Sequence, residues 1–154
     1  MTLFFVSGTF GRNGVKLYSA GNNLAWNSVG SWSLSANGPS ASLIPQSNDT
    51  IIIEHTIIQN VNFTFSGQGL LEIQGAGVLR GENLDLSFTG NSKCSVNGEL
   101  KSGNLLFNQF ATLTIAENGY VSVLNSYSNF SSYIHIISGK LSVSGSLSAV
   151  DDAV

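Results

Sequence analysis

The residues able to do chemistry in this chain are few and dispersed. Glu82 and Asp85 stand three positions apart, close to Arg80. Two carboxylates held ~5–10 Å apart are the machinery of glycoside hydrolysis. A corner of the chain could present this pair in that way, or leave it as solvated charge that keeps an outer face soluble. His55 and His135 are the only histidines. The repeat spacing set out below puts them several coils apart in neighbouring columns, too far to share a metal. Cys94 is the only cysteine, so no intramolecular disulfide can form. It falls in a register of isoleucines, which suits a small buried hydrophobe better than a reactive thiol. No H-E-x-x-H, C-x-x-C or Gly-rich phosphate loop occurs. The expectation is no catalytic residue, no metal and no cofactor.

Flat aromatic rings with a polar edge suit the faces of sugars. Trp26, Trp32, Tyr120 and Tyr127 are the candidates for carbohydrate contact. For the two tryptophans the competing role is to cover the open end of a core. Tyr120 and Tyr127 fall outside the aliphatic columns and are expected at the surface.

What must position these residues is a repeat. Asn62, Asn83, Asn104 and Asn125 recur at one spacing of 21, and so do Gly77, Gly98 and Gly119. The same step links Ile52, Ile73, Cys94, Ile115 and Ile136, and also Ile58, Leu79, Leu100 and Val121. A further pair of columns runs Phe63, Leu84, Leu105 and Phe65, Leu86, Phe107. A fixed period of this length marks a repeat architecture. Within each unit apolar and polar residues alternate, as in Leu71–Ile73 and Leu113–Ile115. That is the pattern of strands with one buried face. Gly and Asn recur too often for helices of ordinary length.

The fold expected is all-β: a single-stranded parallel β-solenoid, a right-handed β-helix of about five 21-residue coils. Stacked coils ~4.8 Å apart place equivalent residues above one another. Asparagines in such a stack can bond along it and tolerate the left-handed bend, so the Asn column reads as a structural ladder. The Gly column reads as a corner needing positive φ. Residues 1–48 carry both tryptophans and both prolines and read as an N-terminal cap. Residues 49–150 read as the solenoid body and 151–154 as a tail. A solenoid needs capping at its ends, and nothing like the Trp segment follows the last repeat.

Composition narrows the partners. Hydrophobic residues make up 42%, enough for a core, while charged residues make up 10% against the usual quarter. Net charge is −3 and the six basic residues are scattered, so no basic stripe exists for nucleic acid. No apolar run approaches the ~18 residues of a membrane span. The opening Leu3–Val6 patch is short and has no basic residue ahead of it, unlike a signal peptide. It could add as a strand to a neighbouring sheet. The abrupt end suggests a piece of a longer chain.

Trp32, Pro45, Asp49, Ile51 and Ile53, followed by the coils, form an order that resembles the start of the parallel β-helix in secreted and cell-surface proteins of Bacteroidetes-type bacteria. The match is a loose pattern over about residues 26–150. The resemblance implies an extracellular or cell-surface place and adhesion or surface-layer roles. The C-terminal sorting domain common in that family is absent from this sequence. Asp49-Thr50-Ile51 is similar to the short O-glycosylation signal of such bacteria, or Thr50 simply begins a strand.

Three functional readings follow: a non-catalytic extracellular, adhesin-like module, a subunit that self-assembles end to end into fibres, or a β-helix that binds or cleaves polysaccharide. The partners implied are other domains of the same protein, copies of itself, or glycans.

Overall fold

The computed structural model describes residues 14–150, with only the backbone of Val150. Fifteen strands succeed one another along them. They are β1 (Lys16–Ser19), β2 (Leu24–Ala25), β3 (Trp32–Ser33), β4 (Thr50–Ile53), β5 (Thr56–Ile58), β6 (Phe63–Phe65), β7 (Leu70–Ile73) and β8 (Val78–Phe88). They continue as β9 (Lys93–Val96), β10 (Glu99–Asn108), β11 (Thr112–Ile115), β12 (Tyr120–Phe130), β13 (Tyr133–Ile136), β14 (Lys140–Val143) and β15 (Ser146–Val150). One short 3₁₀ turn, Val29–Ser31, interrupts them.

The strands stack as a parallel β-solenoid of about five coils. One sheet runs β13-β11-β9-β7-β4-β1-β3 and a second runs β14-β12-β10-β8-β5-β2. The register of β8, β10 and β12 shifts around Gly103. A bulge of this kind bends a sheet, and beyond it β6 and β15 add to the far halves of β8 and β12. These far halves make a third face. The parallel ladder already begins at Lys16, where β1 pairs with β4, so cap and body interleave.

Alternation fills the core. Leu17, Ile51, Leu71, Cys94 and Leu113 form one inward column, continued by Ile134. Ile53, Ile73, Val96, Ile115 and Ile136 form the next. The steps in the first of these from Ile51 onward are 20, 23, 19 and 21 residues. The period of 21 is therefore an average, and the expected column through Ile52, Ile73 and Cys94 is split. Ile52 pairs with Tyr18 and Glu72 on the outward row, though it is buried there, and Cys94 sits between Leu71 and Leu113. On the second face Ile57, not Ile58, heads the column Leu79, Leu100, Val121. On the third, Phe63 aligns with Leu86, Leu105 and Tyr127, and Phe65 with Phe88 and Phe107. Leu84 falls in the bulge instead.

The glycine column has a different cause from the expected positive φ. Among the described residues the left-handed glycines are Gly67, Gly75 and Gly90. Gly77, Gly98 and Gly119 are glycine because the coil beneath is too close for a side chain. A Cβ there would stand 2.1 Å from the Ile53 carbonyl, 2.2 Å from that of Gly77 and 2.1 Å from that of Val96.

The two ends differ. At the first, β3 runs antiparallel on β1, and Trp32 Nε1 donates to the Trp26 carbonyl at 2.7 Å. The two indoles meet edge to face at 5.1 Å, and Trp26 also meets Phe63 at 4.8 Å. Both indoles are fully buried. Two such rings remove roughly 300–500 Å² from water, on the order of 10 kcal/mol before entropy is subtracted. Asp49 fastens the segment: its carboxylate accepts from the Val15 and Gln46 amides, each at 2.8 Å. At the other end the inward columns run out to Ile136 and Leu147, which are 49% and 66% exposed.

Candidate functional site

The third face carries a polar ladder. Asn62 Oδ1 accepts from the Asp85 amide at 3.0 Å. Asn104 Nδ2 donates to Asp85 Oδ1 at 2.6 Å, and Ser126 Oγ donates to Asn104 Oδ1 at 2.7 Å. The sequence reading expected Asn62, Asn83, Asn104 and Asn125 in this ladder. Only Asn62 and Asn104 take part. Asn83 and Asn125 lie exposed in the bulge segments of β8 and β12. Uneven coil lengths put Asp85 and Ser126 in their places.

Beside the ladder is a shallow groove of about 270 Å³, lined by Asp85, Ser87, Asn104, Leu106, Ser126 and Ser128. Its polar groups are largely committed to one another. Asp85, one half of the sequence-predicted carboxylate pair, is a ladder member. Glu82, the other half, stands in the bulge, lining a separate depression with Gln59 and Arg80.

Gln59 is a residue the sequence reading missed. It is buried, and its Nε2 donates to the carbonyls of Val61 and Asp85 at 3.1 and 2.9 Å. It plugs the bend below the bulge. Gly81 accommodates it, since a Cβ there would stand 2.4 Å from Gln59 Oε1. Nothing in the 21-residue step singles Gln59 out, because it occurs once.

A cleft of about 520 Å³ lies on the outer side of the first sheet, lined by Glu54, Glu72, Gln74, Ser95 and Asn97 among others. Glu72 is held by Gln74 through a 2.6 Å bond from Nε2 to Oε1. No histidine, cysteine, lysine or arginine lines the cleft. It offers two carboxylates, one of them held by Gln74, and amides, with no cationic side chain beside them.

Trp26 and Trp32 are core, with no face left for a sugar. Tyr127 is also buried, a correction to its expected place at the surface. It aligns with inward Leu105, 22 residues back, where a step of 21 points to outward Leu106. Burial, with Cys94 as a lesser contributor, pushes its hydroxyl pKa well above the ordinary value, and no partner meets that hydroxyl. Tyr120 is half-buried on the outer face, with the Lys140 ammonium 5.5 Å from its ring centre. Arg80, Lys101 and Ser122 stack one above another on the outer row, and Lys101 pairs with Glu99 at 3.0 Å. His55 is tied at Nδ1 to the hydroxyl and carbonyl of Ser19, both at 3.0 Å. His135, on β13, pairs with Thr114 and lies four strands of the first sheet away from β4, the strand that precedes His55. Thr50, of the glycosylation-like triplet, begins β4.

Among the described residues no group of three or more His, Cys, Asp or Glu could hold a metal, and no helix is long and apolar enough to cross a membrane. The Leu3–Val6 patch lies outside the described residues. No family model, curated protein or solved structure matches the chain.

Proposed function

We propose that this chain is a non-catalytic structural module, a stiff β-solenoid segment of a secreted or cell-surface bacterial protein, adhesin-like in kind. The observation that carries this reading is the commitment of its polar side chains to the stack. The carboxylates of Asp49 and Asp85, the amides of Gln59 and Asn104 and the imidazole of His55 each bond within or between coils. Catalysis needs groups aimed at a place where a substrate can sit. Here such groups serve the scaffold. The low charge and the Ser- and Asn-rich outer rows support an exposed rod more than a reactive cleft.

The test has two arms. Surface proteolysis or antibody labelling of intact cells that express the natural gene product reads its place. Lyase and glycosidase assays on acidic and neutral polysaccharides, with a glycan array, read its chemistry. Labelling with blank assays supports the module. Cleavage of any polysaccharide sinks it. Glycan binding without cleavage, lost in Asn104→Ala or Ser128→Ala, would move the reading to a carbohydrate-binding β-helix.

A further inference from the structure

The bulge in β8 gathers side chains that the scaffold does not use. Arg80, Glu82 and Asn83 stand exposed there. Among the described residues, no side-chain hydrogen bond or ion pair holds any of the three. All three border one depression of about 300 Å³, the lower end of ligand-binding clefts. Ile58 and Leu84 give it an apolar lining, and buried Gln59 lines it from the core side. Gln59 Oε1 lies against Gly81 and accepts from no donor.

Charge gives this recess a direction. Arg80 stands directly opposite Lys101 across β8 and β10, and like charges so placed repel. Glu99, 3.0 Å from Lys101, answers one of the two. The guanidinium of Arg80 is left without a counter-ion. Glu82 and Asn83, in the bend beyond it, offer a carboxylate and an amide. One side of the recess therefore donates to an anion, and the other receives hydroxyl groups. The arrangement does not repeat along the rod. Gly103 alone stands at this bend in β10, and β12 has Ser122 in the row of Arg80. It is a single site and not a repeating row.

Building on the structural-module reading, we propose that this recess binds a carboxylate-bearing sugar residue of a glycan. The carboxylate accepts two parallel N–H bonds from Arg80, the pairing a planar guanidinium makes best. Ring hydroxyls donate to Glu82 and exchange bonds with the Asn83 amide, and the apolar edge of the ring lies on Ile58 and Leu84. A neutral sugar leaves the guanidinium unpaired. A free amino acid leaves the Asn83 amide and the apolar lining unmet. The site holds without cleaving, since the second carboxylate nearby, Asp85, is engaged by Asn104. It gives the rod something to adhere to.

Titration of the full chain, followed by amide chemical shifts in NMR, tests this with three probes. They are a galacturonic acid trisaccharide, the matching galactose trisaccharide and free serine. The expected result is saturable binding of the acidic sugar at millimolar concentration, with shifts gathered at Ile58, Gln59 and the residues from Arg80 to Leu84. The neutral sugar and serine should each bind about tenfold more weakly or not at all, the weight of one charged hydrogen-bonded pair. Arg80→Gln should weaken the acidic sugar by a similar factor. Lys140→Gln, on the same outer face but away from the recess, leaves binding unchanged. Both positions are exposed, and circular dichroism establishes that each variant is folded. Absence of saturation, equal binding of either other probe, shifts on another face, or indifference to Arg80→Gln each overturns the proposal. Surface labelling of cells decides the module reading separately. A labelled protein with an empty recess keeps the module and loses the site, and an unlabelled protein that binds the acidic sugar does the reverse.

Discussion

The ring of Phe65 lies 4.9 Å from that of Phe88, with the two planes 2° from parallel. Phe107 continues the stack at 4.7 Å and 4°. This spacing is that of adjacent strands, so the backbone sets it and the rings fill it. Phe88, with a ring on each side, is the centre of the third face. Phe88→Ala is expected to cost about 3–5 kcal/mol. Phe88→Leu, which keeps most of the volume, should cost well under half of that. Urea unfolding measures both, and a loss near 1 kcal/mol for the alanine variant would remove the stack from the core.

Gly98 and Gly67 separate two reasons for glycine. At Gly98 a Cβ would strike the Gly77 carbonyl at 2.2 Å, whereas at Gly67 it would meet open space at a φ of +59°. Gly98→Ala must push two coils apart and should cost about 3 kcal/mol. Gly67→Ala carries only the left-handed penalty of about 1–2 kcal/mol. Equal losses in thermal unfolding would refute the distinction.

Gln109 occupies the place that Gly67 holds two coils earlier and Gly90 one coil earlier, with a φ of +59°. Gln109→Gly relieves that strain, less the added entropy of glycine in the unfolded chain, and should stabilise by about 0.5–1 kcal/mol. A lower denaturation midpoint would show that the glutamine side chain does more than turn the corner.

Tyr127 buries a hydroxyl that has no partner. An unsatisfied buried group costs about 1–3 kcal/mol, so Tyr127→Phe should stabilise by about 1 kcal/mol. The variant should also change the alkaline limb. Burial raises the folded-state pKa above the unfolded value of 10.0. The folded state therefore holds its proton longer, and stability is lost as pH rises above about 10. Tyr127→Phe should flatten the fall in stability between pH 10 and 11, and an unchanged slope would contradict the assignment.

Cys94 is enclosed between Leu71 and Leu113, and burial alone drives its thiol pKa far above the ordinary value. The thiolate is the reactive form. At pH 8 the native protein should resist a thiol reagent by at least a hundredfold relative to the urea-unfolded chain. Rapid labelling of the folded protein would place the cysteine outside the core.

The mean period revealed the solenoid because coil lengths average 21 even though single steps range from 19 to 23. Strand alternation revealed which residues face inward wherever the local step was 21, as at Leu79, Leu100 and Val121. A step off by one turns a side chain to the other face, which is how Tyr127 was read as exposed and Ile52 as inward. Asn83 and Asn125 satisfied the count yet landed in bulges, because three residues stand at one bend of β8 where Gly103 alone serves in β10. Gln59 and Asp49, which fix a bend and the cap, occur once each and left no periodic trace. The polar side chains were legible as types, but their consumption by the scaffold depends on register, which the average hides.

The bend at Glu82, Asn83 and Leu84 holds three residues, while the equivalent bend one coil later holds Gly103, and the columns on either side stay aligned. Chain length at this corner is thus uncoupled from the stacking of its neighbours. A foreign loop spliced between Glu82 and Leu84 would ride outside the hydrogen-bonded frame, which makes this corner a natural point for displaying a peptide on the rod.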